Sequence, residues 1–368
     1  MDFTPTEAQL DLARLTGEVC GKLVTADRLR ELDTADERFD QPLWSSLAET
    51  GVLAAALPES VGGSDLGSLE QTAILRELGK HVAAVPYLWS VVLGAGALAR
   101  FGDAAQQDLA AQAGAGRIIL TVALAEERNW EPTAPTTTAV ETGAGWRLTG
   151  AKTTVPYANR AERILVPVTT VSGTPAIFLV DPAAATVTAQ QVVDRSPEFA
   201  VELTDTPGEL VGTVAGGSEI LDWILTRAWL GLSALQLGTL ERALELVAEY
   251  AREREQFGKA VGSFQAVAQR LADAYIDVQG LRLATTQAAW LLSEDLPAAE
   301  AVHTAKFWAA DAGHRVAHTV VHVHGGVGID RDHIVHNYFT AAKHHEFTLG
   351  TGTDHLRALG ALLAGTPA

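Results

Sequence analysis

Between two long stretches of helical periodicity lies R-E-R-E-Q-F-G-K-A-V-G-S-F-Q-A-V, Arg252 to Val267, in which Arg254, Gln256 and Phe257 bring a fixed cation, an amide and an aromatic face to one helix end. That set suits a ligand carrying both phosphate and a flat ring, because guanidinium meets phosphate oxygens in a two-pronged fork and an aromatic face accepts stacking. A plainer use pairs Arg254 with a nearby glutamate and lets Phe257 fill the corner, and composition alone favours it. The frame is a helical hairpin. Leu237, Leu240, Leu244 and Val247 recur at three and four residues, as do Val267, Leu271, Ala274 and Val278. Gly258 and Gly262 turn the chain, and Ser263 is placed to start the next helix.

Histidine is the other residue type with chemistry in view. All but His81 fall between His303 and His355, and His314, His318 and His322 share one helical face. Imidazoles so spaced bind zinc when Asp, Glu or Cys partners stand at ligand spacing. Such partners are missing, so the row is expected to be polar groups at a subunit interface or beside a cofactor, with no metal. Gly94-Ala95-Gly96-Ala97-Leu98-Ala99 fits a loose dinucleotide fingerprint, but the text before it is helical and no acidic residue follows at about 20 residues. It is expected to be a helix packed closely through small residues.

At 368 residues the chain has room for two or three packed units. No apolar run approaches the ~20 residues that cross a bilayer. Met1-Asp2-Phe3-Thr4 lacks a basic flank and an apolar leader, and Cys20 stands alone, which together suggest a cytoplasmic protein. A formal charge of -18 disfavours nucleic acid and anionic membrane as partners.

The positioning elements fall into three parts. Residues 1–115 are a helical domain: Thr4-Pro5-Thr6-Glu7 reads as a capping box, a second helix starts near Pro42, and another starts at Ser68 to Gln71. Residues 116–215 form a central β-barrel-like domain, with strands at Ile118 to Leu124, Gly145 to Leu148, Ile164 to Val168, Ala176 to Val180 and Thr186 to Val193. Residues 216–368 are a C-terminal four-helix bundle that includes a helix from Pro297 to about Val323.

R-E-Q-F-G-K followed by F-Q resembles the signature of the acyl-CoA dehydrogenase family, as do the helix, glycine stop and Gly62-Gly63 of Leu43 to Gly63, the two β landmarks Ala123 to Glu126 and Leu148 to Lys152, and V-H-V-H-G-G-V-G-I, Val321 to Ile329. The resemblance implies an FAD enzyme that desaturates acyl-CoA thioesters, with an electron-transfer flavoprotein as electron acceptor. It implies that Arg254, Gln256 and Phe257, together with His322, Gly325 and Gly326, touch the FAD of a neighbouring subunit, and that Ala123, Ala125 and Thr351 border the cofactor. Four departures stand out. Ala125 replaces a usual threonine, Thr154 a tryptophan that lies against the isoalloxazine, Pro156 a further threonine, and His322 a glutamine.

The family's reaction needs a carboxylate that takes the α-proton while the β-hydrogen leaves as hydride. In this chain the usual position is Leu349 and the alternative position on the first bundle helix is Ala228, both inert, so the catalytic residue is unknown. Glu346 and Asp354 lie off register, and Asp222 is a further option if the count slips. The leading expectation is therefore one subunit of a heteromeric acyl-CoA dehydrogenase, a tetramer built as a dimer of dimers, in which a sister chain supplies the glutamate and most flavin contacts. It resembles actinobacterial pairs that shorten steroid side chains as CoA thioesters. The alternatives are a stand-alone flavoenzyme with a relocated base or base-independent chemistry, and a non-catalytic scaffold.

Overall fold

A computed structural model gives the structure of the chain, described over residues 3–365; Met1 and Asp2, part of the leader reading above, lie outside the described residues. In chain order the elements are α1 (Glu7–Leu23), α2 (Ala26–Thr34), α3 (Gln41–Glu49), α4 (Ser68–Lys80), a π-helical segment (Tyr87–Ala95), α5 (Gly96–Phe101), α6 (Ala104–Gly114), β1 (Ile119–Val122), β2 (Thr138–Thr142), β3 (Gly145–Pro156), β4 (Ala161–Thr170), β5 (Pro175–Val180), β6 (Thr186–Gln190) and β7 (Glu198–Val211). Then follow α7 (Gly217–Glu253), β8 (Glu255–Gln256), β9 (Lys259–Ala260), α8 (Gln265–Ser293), α9 (Ala299–His324), α10 (Val335–Phe347) and α11 (Gly352–Gly365). Within the described residues the chain divides into two compact units, one of residues 3–35, 68–83 and 229–365, the other of residues 36–67 and 84–228.

Helix starts follow local capping chemistry, with two corrections to the sequence reading. The capping box sits two residues later than Thr4–Glu7: the Thr6 hydroxyl accepts the Gln9 N–H at 3.1 Å, and the Gln9 side-chain Oε1 accepts the Thr6 N–H at 2.7 Å. The helix at Pro42 is the third, not the second, because Thr25 caps α2 upstream of it. Asp40 caps α3 and Pro42 lies in its first turn, where a missing N–H costs nothing.

The unit of residues 36–67 and 84–228 is built on a seven-stranded sheet of order β1-β4-β2-β3-β7-β5, with β6 on β7. Since β5 pairs with both β7 and β4, the path returns on itself. Leu148, Val155, Ile164, Val166, Phe178, Val180 and Val201 fill its interior. The G-x-G-x-x-A stretch is helical, as expected. A methyl on Gly94 would stand 2.8 Å from Leu120, and one on Gly96 would stand 2.8 Å from the Trp223 ring, so both glycines admit close neighbours.

In the other unit, α7 from Trp229 onward, α8, α9 and α10 share one core through Leu240, Val247, Val278, Leu281, Val316, Val320 and Tyr338. Helix α4 lies against α7 with the backbones touching. A Cβ on Gly79 would fall 2.2 Å from the Leu235 carbonyl oxygen, and one on Gly238 would fall 1.8 Å from that of Arg76. Beside this contact the buried Glu241 accepts from Arg76 and Arg282, each at 2.7 Å. Gln236 is a polar pin in the bundle: its amide donates to the carbonyls of Ala309 and Ala342, and its oxygen faces His345. Gly238→Ala forces two backbones apart rather than moving a flexible side chain, so it is expected to cost about 3 kcal/mol or more, which thermal denaturation would register as a clear drop in midpoint.

Candidate functional site

The corner after α7 is a two-residue β-hairpin. Glu255 pairs with Ala260 and Gln256 with Lys259, while Phe257 and Gly258 turn the chain at φ of 53° and 77°. Positive φ at both central positions is the twist-matched hairpin turn, which explains Gly258 and leaves Phe257 in a conformation that aromatic residues rarely adopt. Phe257 is 92% exposed, touching only the edge of Phe264 among aromatic rings at 6.2 Å. Arg254 has no side-chain ion pair among the described residues, and the Gln256 amide bonds only to the Glu255 carbonyl. The corner is thus neither filled by Phe257 nor paired off through Arg254. Ser263 does not start α8: its hydroxyl turns back to the Ala260 carbonyl at 2.7 Å, and Phe264 holds the cap position without a side-chain bond.

The second predicted segment lies at the same end of the bundle. Tyr250 near the end of α7 stacks on His324 at the end of α9, ring centroids 4.3 Å apart and 26° from parallel, and the His324 Nδ1 faces the Val320 carbonyl. Sequence reasoning singled out His322, which is exposed, and missed the buried His324, whose only signal was its four-residue spacing from Val320. Beyond it Gly325, at φ 65°, reverses the chain, and a Cβ on Gly325 or Gly326 would meet nothing within 4 Å. A ligand can therefore approach this backbone closely.

His314 and His318 belong elsewhere. His314 lies 3.1 Å from the Glu346 carboxylate and 3.1 Å from the Lys343 ammonium, and His318 meets the edge of Phe339. Among the described residues no group of three His, Cys, Asp or Glu side chains could hold a metal ion.

Leu349 sits in the left-handed region at φ 54°, a conformation that costs a non-glycine residue about 1–3 kcal/mol and persists only where surroundings impose it. Those surroundings are visible. Trp229 Nε1 donates to the Leu349 carbonyl at 3.0 Å, His355 Nε2 reaches it at 3.2 Å, and the buried Lys306 donates to the carbonyls of His345, Glu346 and Gly350. Burial lowers the Lys306 pKa to about 7, against the opposing pull of Glu346 and Asp354. Asp354 accepts both the N–H and the hydroxyl of Thr351, closing the start of α11, and despite partial burial these bonds hold it below the usual carboxylate range. Glu346 is bound by Lys343 at 2.5 Å as well as by His314. Both alternative carboxylates near Leu349, and the polar groups of Thr351, are thus engaged. Ala228, in the other unit, is fully buried, and Asp222 there is exposed with its pKa raised by desolvation.

In the β-sheet the Ala123 N–H goes to the Leu165 carbonyl, and the Ala125 carbonyl receives the Thr153 N–H. At the next residue, Thr154 stands at φ 46°, where β3 slips register against β7, and its N–H donates to Gln190 Oε1 at 2.7 Å. Pro156 has no N–H to offer. Beneath this edge Glu126 is a buried carboxylate holding Lys152 Nζ at 2.7 Å and four N–H and O–H donors of Thr136 and Thr137. Burial pushes Glu126 up, but Lys152 and the threonines outweigh it and hold the pKa far below the usual carboxylate range. Of the donors along this edge, the Ala123 and Thr154 N–H groups are thus engaged within the chain, and for Ala125 it is the carbonyl that is taken up. The corner at Arg254 to Phe257 and the Gly325-Gly326 turn are open among the described residues, and their cation, aromatic face and bare backbone suit phosphate and a flat ring.

A helical N-terminal part, a central mixed sheet and a helical C-terminal part define the class. Residues 6–111 match the family described as Acyl-CoA dehydrogenase, N-terminal domain, and residues 215–362 that described as Acyl-CoA dehydrogenase, C-terminal domain. The chain belongs to the acyl-CoA dehydrogenase family, oxidoreductases that in general depend on FAD. It is similar to acyl-CoA dehydrogenase FadE27 of Mycobacterium tuberculosis, 51% identical over 380 residues and covering 100% of both chains, and to FadE28 of the same organism, 31% identical over 98% of each. Among solved structures it is similar to a chain of the ChsE4-ChsE5 complex from Mycobacterium tuberculosis, with a TM-score of 0.94, 50% identity and 100% of both chains covered. A variant of the Tcur3481-Tcur3483 steroid ACAD matches with a TM-score of 0.92 and 38% identity over 97% of this chain and 98% of that one. No helix among the described residues is long and apolar enough to cross a membrane.

Proposed function

We propose that this chain is the base-lacking subunit of a heteromeric acyl-CoA dehydrogenase that desaturates bulky, steroid-like acyl-CoA thioesters between the α and β carbons. One observation carries the reading: the segment at Leu349 is clamped in a strained backbone by Trp229, His355 and Lys306, yet the side chain it presents is a hydrocarbon. A fold that maintains the frame and drops the carboxylate is accounted for if a sister chain, paired in a dimer of dimers, takes the α-proton. When bound, FAD serves as acceptor of the β-hydride, with an electron-transfer flavoprotein as the next acceptor.

In this reading Arg254 grips phosphate of the sister chain's FAD, Phe257 and Gln256 cover its ring, and His322, Gly325 and Gly326 face it with a side-chain nitrogen and open backbone. Ala123, Ala125 and Thr351 contribute less, because the polar groups described above are already engaged. The three parts, residues 1–115, 116–215 and 216–368, then divide the work as helical cover, flavin-side sheet and cofactor-bridging bundle, in the cytoplasm. The named steroid ACAD among the relatives supports a bulky substrate, and the small side chains of Ala228 and Thr154 permit one.

Dye-coupled turnover of a steroid-side-chain CoA thioester tests the reading: the chain alone is expected to be inactive and the mixture with its sister chain active. A complementary change is Leu349→Glu. Because the Thr154 N–H is already taken by Gln190 and Pro156 has none to offer, the carboxylate alone is expected to leave the isolated chain inactive; acyl-CoA oxidation by that isolated variant would contradict the assignment of FAD to the partner.

A further inference from the structure

His303 on α9 and His355 on α11 approach Nδ1 to Nδ1 at 2.9 Å, while His355 Nε2 faces the Leu349 carbonyl at 3.2 Å. These two distances order the protons. A carbonyl only accepts, so His355 carries its proton on Nε2; in the neutral ring its Nδ1 is then a lone pair, and His303 Nδ1 must donate to it. Trp229 packs on both rings, centroids 4.8 Å and 5.4 Å away, and gives the same Leu349 carbonyl a second donor.

One added proton is accommodated, on His303 Nε2 with the bond unchanged or on His355 Nδ1 if the tautomer of His303 switches, but two place N–H against N–H and break the contact. The charged groups around the pair are Lys306 on α9, Glu346 on α10, and Asp354 and Arg357 on α11. The packed side of α7 contributes Trp229, which does not titrate. The nearest cation is Lys306, and burial, Lys306 and His303 together push His355 down to about 3; burial also lowers His303.

We infer that His303 and His355 form a proton-ordered clamp on the 348–351 segment, closed while the imidazoles are neutral and released by acid. The sign follows from linkage. Both folded-state pKa values lie below the unfolded value of about 6.5, so the clamp's contribution is complete above that pH and declines as pH falls below it. The inference stands on geometry within one unit and does not depend on which chain supplies a base.

Hydrogen exchange of peptides spanning residues 345–352 tests it in the full chain, with intrinsic exchange corrected for pH. Between pH 7.5 and pH 5.5 the wild type is expected to lose protection by about tenfold. His355→Gln places a non-titrating amide donor at the same carbonyl and is expected to remain protected at both pH values. Trp229→Phe removes the second donor and should enlarge the acid loss. Should His355→Gln fail to fold, His303→Asn serves, since its amide still donates to His355 while one titrating ring is gone, and the acid loss should shrink. Equal acid loss in the wild type and these histidine variants would overturn the clamp, as would a wild type equally protected at both pH values.

Discussion

Replacing Arg254 with alanine in the assembled complex is expected to weaken FAD binding by about 2–3 kcal/mol, roughly 30- to 150-fold, the range for a hydrogen bond to a charged group. The exposed guanidinium, without an ion-pair partner among the described residues, has no internal contact to lose. Folding of the chain should therefore be unchanged while flavin is lost on dilution. Arg254→Lys keeps the charge but not the planar fork and should recover only part of the affinity. Flavin fluorescence during titration separates these outcomes, and retention of full affinity by the alanine variant would remove Arg254 from the cofactor site.

The second large effect lies in the sheet. Lys152→Ala leaves the Glu126 carboxylate buried beside its threonine donors with no counter-charge, and breaking a buried pair from one side costs about 3–5 kcal/mol. The double change Lys152→Met with Glu126→Gln removes both charges and should recover much of that loss. Glu126 adds a pH signature: with its folded pKa held below the unfolded value of about 4.3, its stabilisation is full above that pH and is lost as pH falls further. Glu126→Gln should flatten that acid limb in denaturation curves collected from pH 6 downward.

How much of this could be read from residues depended on whether the decisive interactions were local. The helix start near Pro42, the long bundle helices and the glycine-packed Gly94 to Ala99 follow from neighbours within a few positions. The hairpin at Phe257 did not emerge, because two-residue strands are too short for any periodicity, although F-G between E-Q and K-A is its turn. Strands β2 and β7 escaped for a related reason: T-A-V-E-T buries one residue, and β7 carries Pro207 and Gly208 within its length.

Leu349 and Ala228, where the resemblance would put a base, were legible at once as groups that cannot take a proton whatever surrounds them. What holds Leu349 in place was not, because Trp229, Lys306 and His355 are distant in sequence and meet only through the fold. The same is true of Gln190, 36 residues from the Thr154 N–H it occupies.

The most direct test of the whole account is the flavin content of the purified species, read as the ratio of flavin to protein absorbance together with assembly mass. The isolated chain is expected to be colourless, and the complex with its sister chain to carry one FAD for each pair of unlike subunits. A yellow assembly of this chain alone, with a flavin in every subunit, would contradict it.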